Sequence, residues 1–287
     1  MDLIEQNLRE TVAHLAGVIG ERNWRQTGKL NQAAGYIEQR LASCRCETKG
    51  QTFTYRGGDY CNVFADVRGS GTATDGILVV GAHYDTVTGS PGADDNASGI
   101  AGLLELARLA SEKPFRRPVR FVAFSLEEPP VFMTSRMGSY VHAKGLRDEG
   151  TAVFGMISLE MLGYYRDERG SQIYPASLFR LFYPDRGNFI SFVGNLSSRA
   201  FTLAVRKAFT ERCSMPVRSL NAPSLIPGVA FSDHRSFWKF GFPAFMVTDT
   251  AFYRNPNYHS ANDTPETLDY EKMAELITGI YRALAVL

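Results

Sequence analysis

Two patterns of hydrophobic and polar positions divide the chain. At its start Ile4, Leu8, Val12, Leu15 and Ile19 recur at helical spacing, which predicts an amphipathic helix over 3–20, and a second helix is expected over 27–43. Residues 47–67 read as β-rich, with polar–apolar alternation around Tyr60 to Val67 and a turn at Gly57-Gly58. The stretch GSGTATDG (69–76) is a loop by composition. The pattern then changes. ILVVGAH (77–83), VRFVAFS (119–125), AVFGMISLE (152–160) and PAFMVTDT (243–250) are continuous apolar runs, the mark of strands buried on both faces. SGIAGLLELARLA (98–110), MGSYVHAKGL (137–146) and the end of the chain from about residue 270 have helical periodicity. Strands alternating with helices imply an α/β fold with a largely parallel sheet covered on both sides.

Length and charge narrow the picture. A chain of 287 residues suits one large α/β domain, taken here as 1–287. A net charge of +1 and the lack of any Lys/Arg run leave no electrostatic case for nucleic acid or an anionic membrane as partner. No stretch reaches the roughly 18 apolar residues of a membrane span. The N-terminal residues have no basic region followed by an apolar block, so they read as a helix of the fold rather than a signal peptide, and a cytoplasmic location is expected. Cys44, Cys46, Cys61 and Cys213 show no CxxC spacing and are expected to be reduced and structural.

In a sheet of this kind ligands bind beyond the carboxyl ends of the strands. Those ends are where the chain concentrates His, Asp and Glu. After the first run come His83 and Asp85; on extended backbone i and i+2 share a side, so Asp85 is placed to receive the spare N–H of His83. Asp94-Asp95-Asn96 precede a helix, where N-capping needs only one such residue, and a carboxylate there could bridge two cations. Glu127 and Glu128 end a strand side by side, a repulsive pair unless positive charge lies nearby; one could ligate a metal while the other accepts a proton from an activated water. Glu160 ends a buried run, where an acid needs a partner. His259 stands in a polar loop, and DTPE (263–266) fits turn and capping chemistry before the last helix. Each has an ordinary explanation alone. Together, His nitrogen and carboxylate oxygen gathered at successive strand ends suit a pair of divalent ions.

The series GAHYDT, GADDNASGIAGLLELAR, FVAFSLEE, SLEMLG, FSDHRSFW and YHSANDTPETLDYEKM resembles the M28 family of co-catalytic metallopeptidases, from about residue 62 to the C-terminus. The resemblance implies a three-layer α/β/α sandwich of zinc-peptidase type with a mixed, mainly parallel central sheet. It implies two divalent metal ions, zinc in the best-known members. Asp95 would bridge them, His83 and Glu160 would complete one site, and Glu128 and His259 the other. Glu127 would be the general base, Asp85 the partner of His83, and the Asp95–Asn96 peptide bond cis. The chain departs from the family pattern in three places. Glu160 stands where Asp is usual, the segment after Glu128 is longer than the usual Gly-rich turn, and 164–189 has no counterpart in the pattern.

The expected reaction is hydrolysis of an N-terminal peptide bond, with a peptide or small amide as substrate. Glu127 would take a proton from water and pass it to the leaving amine. Met161, Phe252, Tyr253 and Tyr258 flank the proposed ligands in sequence and are candidates to line a pocket for an apolar first side chain. Three other readings fit parts of the pattern. The first is a single-zinc glutaminyl cyclase-like transferase. The second is a carboxypeptidase of small acylated amino acids, with Arg136, Arg166 or Arg186 as its carboxylate clamp. The third is a metal-free interaction module, which the competence of all five ligand positions opposes. His234 reads as a supporting residue, and His14 and His142 receive no role.

Overall fold

A computed structural model describes residues 2–44, 46–71 and 76–287. The chain opens with α1 (Leu3–Val12), which continues as a wider-wound stretch (Ala13–Ile19) until Gly20, at φ 71°, ends it. α2 (Thr27–Ser43) leads to a hairpin of β1 (Glu47–Tyr55) and β2 (Gly58–Val67). Its turn is Arg56-Gly57, both at positive φ (49° and 81°), the geometry that matches the twist of paired strands. The predicted Gly57-Gly58 turn is therefore shifted by one residue, because Gly58 already pairs with Tyr55. Of the predicted loop 69–76, residues 72–75 lie outside the described residues.

The α/β part follows: β3 (Ile77–His83), α3 (Gly99–Glu112), β4 (Val119–Phe124), α4 (Gly138–Asp148) and β5 (Val153–Glu160). Beyond it come β6 (Ile190–Gly194), α5 (Arg199–Thr210), β7 (Val217–Asn221), α6 (His234–Trp238), β8 (Ala244–Thr248) and α7 (Tyr270–Leu284). The eight strands form one sheet in the order β1-β2-β4-β3-β5-β8-β6-β7. The four central strands, β4-β3-β5-β8, are mutually parallel. β2 joins β4, and β6 joins β8, antiparallel.

Helices cover both faces, and side-chain alternation along the strands shows it. Leu78, Val80, Phe121, Ala123, Ile157, Leu159, Phe245 and Val247 face the core that holds α1, α2, α3, α5 and α7. Their neighbours Val79, Val122, Phe124, Met156 and Ala244 face the opposite core with Ala143 and Leu146 of α4 and Phe237 of α6. Apolar runs without a polar face thus reflect burial on both sides. Four elements between 190 and 238 had no sequence assignment. β6 and β7 are five residues each, too short for periodicity to separate from a turn, and α6 is as short; α5, by contrast, carries Phe201, Val205, Ala208 and Phe209 at helical spacing and was legible. Among the described residues no helix is long and apolar enough to cross a membrane.

Candidate metal centre

The central strands share a direction, so their carboxyl ends share an edge of the sheet, and the polar side chains gather there. His83 closes β3 and Glu160 closes β5; Glu127 and Glu128 follow β4, Asp95 lies in the loop after β3, and His259 in the loop after β8. His83 Nε2 is 3.3 Å from Asp95 Oδ1 and 3.4 Å from Glu160 Oε1. His259 Nε2 is 3.1 Å from Asp95 Oδ2 and 3.4 Å from Glu128 Oε2. Asp95 therefore presents one carboxylate oxygen to each imidazole. His83, Asp95 and Glu160 form one group whose ligand atoms all lie within 4.8 Å of one another, and Asp95, Glu128 and His259 form a second. A third such group is His83, Glu127 and Glu128.

Whether these residues fit metal ions can be tested on their hydrogen bonds. Asp95 Oδ1, Glu128 Oε1 and His259 Nε2 are buried and make no hydrogen bond, although charged neighbours stand close. Buried polar atoms are normally paired, and leaving them unpaired is costly. These atoms converge on common points rather than on one another, and nitrogen with carboxylate oxygen is a donor set that zinc accepts. The residues present fit divalent cations.

The electrostatics agree. Burial, reinforced by Glu128, Glu160 and Asp233 and opposed by His83, pushes the Glu127 carboxyl well above its usual range. Burial and Asp95 push Glu128 up to about 8. Burial pulls the His259 imidazole down, but Asp95 and Glu128 outweigh it and raise it to about 10. Asp95 moves the other way: burial would raise it, yet the two imidazoles hold it below its usual range. The cluster has an excess of negative groups that positive charge would relieve.

The polypeptide around the cluster is fixed by polar groups whose partners are mostly main chain. His83 Nδ1 lies 3.1 Å from the backbone carbonyl of Asp85 and 3.4 Å from its carboxylate. A carbonyl only accepts, so Nδ1 carries the proton and Nε2 is left with a lone pair. The expected partner of His83 is thus Asp85, but mainly through its main chain. The Asp85 carboxylate instead accepts the N–H of Glu127 and of Glu128. Asp263, read from sequence as turn chemistry, is fully buried and does the same for the other loop, accepting from the N–H of Asp94 at 2.8 Å and of Asp95 at 3.1 Å. Asp94 in turn accepts from Gly163 N and Asn255 Nδ2, and Asn96 ties the loop to the end of β5 through Leu159 O and Met161 N. The Asp95–Asn96 peptide bond is cis. Gly92 precedes them at φ 65°, where a Cβ would come within 2.4 Å of Asp95 O. Leu126, Met161 and His259 all adopt positive φ (60°, 52° and 56°), uncommon for residues with side chains and frequent at functional sites.

Three further residues escaped the sequence reading. Arg22, in the turn between the first two helices, is fully buried and donates to five backbone carbonyls, those of Leu15, Gly20, Tyr84, Pro91 and Gly92. Ser232 donates to Glu160 Oε2 at 2.6 Å. Asp233 is buried near the cluster, its pKa pushed up to about 7 by burial. His234, beside it, binds the carbonyl of Val229 through Nε2 at 2.8 Å, a supporting position. His142 contacts Gln51, and His14 stacks on Tyr36.

A deep apolar pocket opens beside Glu160. Phe252, Tyr253 and Tyr258 line it, Tyr258 stacking on His259 with 3.7 Å between ring centroids. Met161 is not among the lining residues, and its side chain is fully buried. The segment 164–189 supplies much of the rest, including Tyr174, Phe179 and Tyr183. The longer segment after Glu128 reaches the mouth through Phe132, whose ring meets Phe231 at 5.8 Å. Arg136, Arg166 and Arg186 do not line the pocket; Arg166 stacks on Tyr164, and Arg186 donates to Asp167 O.

Comparison with known proteins places this architecture. The chain is 41% identical to the uncharacterized protein YfbL of Escherichia coli (strain K12), across 97% of this chain and 87% of that protein. It is 29% identical to a probable leucine aminopeptidase of Trichophyton verrucosum (strain HKI 0517), across 75% of this chain but only 54% of that protein, so the chain spans about half of that longer relative. Its fold is that of a zinc aminopeptidase from Bacillus subtilis, with a TM-score of 0.77 at 16% identity, covering 97% of this chain and 94% of that one. Residues 62–283 match the profile of peptidase family M28, and the chain belongs to that family.

Proposed function

We propose that the chain is a metal-dependent aminopeptidase that removes apolar N-terminal residues. The observation that carries this reading is the sharing of Asp95 between two three-residue ligand sets, with Glu127 beside them. His83, Asp95 and Glu160 would hold one divalent cation, and Asp95, Glu128 and His259 a second. Two such ions, zinc for this donor set, would supply the Lewis acidity that activates a water and polarises a carbonyl.

The chain's own groups account for the remaining steps. Glu127 is buried at the cluster, and its backbone is fixed by Asp85 while its carboxylate makes no hydrogen bond among the described residues. A carboxylate with a raised pKa is a competent proton acceptor near neutral pH. Glu127 takes the proton from water and delivers it to the leaving nitrogen. The pocket beside Glu160 takes the first side chain, and its aromatic walls favour a large apolar one. Presentation of both Asp95 oxygens to separate imidazoles favours two ions over the single ion of a cyclase-like transferase.

Glu127→Gln tests the assignment. The variant should bind metal as wild type does while hydrolysis of leucyl and phenylalanyl substrates falls about 10²–10⁴-fold. Turnover within a few-fold of wild type would remove Glu127 from the mechanism. Two metal equivalents per chain, and no cyclisation of Gln-peptides, separate this reading from the transferase.

A further inference from the structure

The pocket beside Glu160 runs across the sheet. Its floor begins at Glu160 on β5, passes to Met246 and Thr248 on β8 and to Ser191 and Val193 on β6, and ends at Leu220 on β7. Glu160 pairs with Thr248, and Thr248 pairs with Ser191, so these three side chains stand in one row on one face of the sheet. Neighbouring strands lie about 4.8 Å apart, which puts the backbone of Ser191 about 10 Å from that of Glu160. Ser191 is only 7% exposed, and its hydroxyl makes no hydrogen bond among the described residues. The other polar groups around it are engaged. The hydroxyls of Tyr174 and Tyr183 donate to Pro184 O and Ser219 O, Gln172 and Thr250 bond one another, and Thr248 accepts from Thr250 N. The Tyr258 hydroxyl is also unpaired, but its ring stacks on His259, at the metal end. Ser191 is thus the polar group without a protein partner in the apolar depth of the pocket.

Reach and polarity decide which first side chain uses it. The backbone of the first residue is held at the metal end, beside Glu160, and its side chain extends along the row towards Ser191. A leucyl side chain is too short to cross Thr248 to the next strand. Lysine and arginine have the length, but they would carry a charge into apolar walls with no free acid at that depth. A tyrosyl ring crosses the row and ends in a hydroxyl, which needs a partner once buried. The Ser191 hydroxyl can either donate to it or accept from it. Apolar walls alone separate tyrosine from phenylalanine weakly; a hydroxyl placed to meet the phenol separates them, because phenylalanine leaves it unpaired. Resting on the aminopeptidase reading, we infer that Ser191 is a specificity residue that hydrogen-bonds the phenolic hydroxyl of the first side chain, so that the preferred substrates are peptides with an N-terminal tyrosine.

The experiment compares tyrosyl, phenylalanyl and leucyl p-nitroanilides on the zinc-loaded full chain, in wild type, Ser191→Ala and Ser191→Thr. Wild type should favour the tyrosyl over the phenylalanyl substrate in kcat/KM by about threefold to tenfold, the worth of one neutral hydrogen bond. Tyrosinol and phenylalaninol, which have no bond to cleave, should bind with the same ratio in Kd by calorimetry. In Ser191→Ala both ratios should fall to near one while phenylalanyl cleavage stays within about twofold of wild type, and Ser191→Thr, which keeps a hydroxyl, should retain part of the preference. Equal cleavage of tyrosyl and phenylalanyl substrates by wild type overturns the inference and leaves the aminopeptidase reading standing. So does an unchanged ratio in a folded Ser191→Ala. If that variant does not fold, the two wild-type ratios decide. If wild type cleaves none of the three substrates, the aminopeptidase reading fails and this inference with it.

Discussion

The carboxylate of Asp85 accepts the backbone N–H of Glu127 at 3.0 Å, and its second oxygen accepts that of Glu128 at 3.1 Å. The same residue offers its carbonyl to His83 Nδ1. One side chain and one peptide unit thus set the direction of three polar groups of the cluster. Asp85→Asn keeps the shape but turns one acceptor into a donor, leaving one of the two N–H groups unpaired. We expect a tenfold to hundredfold loss, by order of magnitude, in metal affinity or turnover. Zinc titration and kcat on the same preparation check it; wild-type values for both would show that the two N–H contacts do not matter.

Metal removal should cost stability as well as activity. Asp95, Glu127, Glu128 and Glu160 are buried together and need positive charge. A ligand that binds only the folded state at about a hundred times its dissociation constant stabilises it by roughly 2.7 kcal/mol. For a chain of 287 residues that corresponds to a Tm lower by about 4–5 °C after chelation. Thermal unfolding before chelation, after it, and after zinc is restored measures the effect; an unchanged Tm would contradict ion binding at the cluster.

Two buried histidines outside the ligand sets set an acid limit. Burial, aided by Arg120, lowers His142 to about 3, and burial lowers His234 to about 4. Both folded values lie below the ordinary value of about 6.5, so protons favour the unfolded chain. Above that value neither histidine affects stability. As the pH falls below it, stability falls, until about pH 4 for His234 and about pH 3 for His142. The slope approaches 1.4 kcal/mol per pH unit for each, so His142→Gln should lose about 2 kcal/mol less than wild type between pH 6.5 and 5. Urea unfolding at the two pH values tests this; parallel losses would rule out a neutral buried His142.

Arg22 offers a fourth test. Its guanidinium serves the carbonyls of Tyr84, Pro91 and Gly92, on the loop between His83 and Asp95. Arg22→Met strands these acceptors in a buried site, at a cost of at least about 3 kcal/mol, since each unpaired buried group costs roughly 1–3. Arg22→Lys, with three donors, should recover part of it. Zinc affinity measured well below the Tm should fall in the same order, and wild-type affinity in a folded Arg22→Met would limit the residue to stability.

The sequence was informative where chemistry and strand ends coincide. His83, Glu128 and Glu160 could be located because a long apolar run stops at each, and the structure brings them together with Asp95, Glu127 and His259. Asp263 and Arg22 could not, because their partners are peptide N–H and C=O groups, which every residue has and no motif signals. The wall of the pocket was equally hidden: Tyr174, Phe179 and Tyr183 come from a segment without periodicity. Met161, expected to line the pocket from its adjacency to Glu160 in sequence, is fully buried and not among the lining residues.

Arg22 also bears on where the working unit of this protein begins. The family match starts at residue 62, after both N-terminal helices and Arg22. A fragment cut to that match would retain every proposed ligand and lose the brace on the loop between two of them. A truncation or tag that shifted the first helices is therefore expected to alter metal retention while leaving the proposed ligands and Glu127 in the chain.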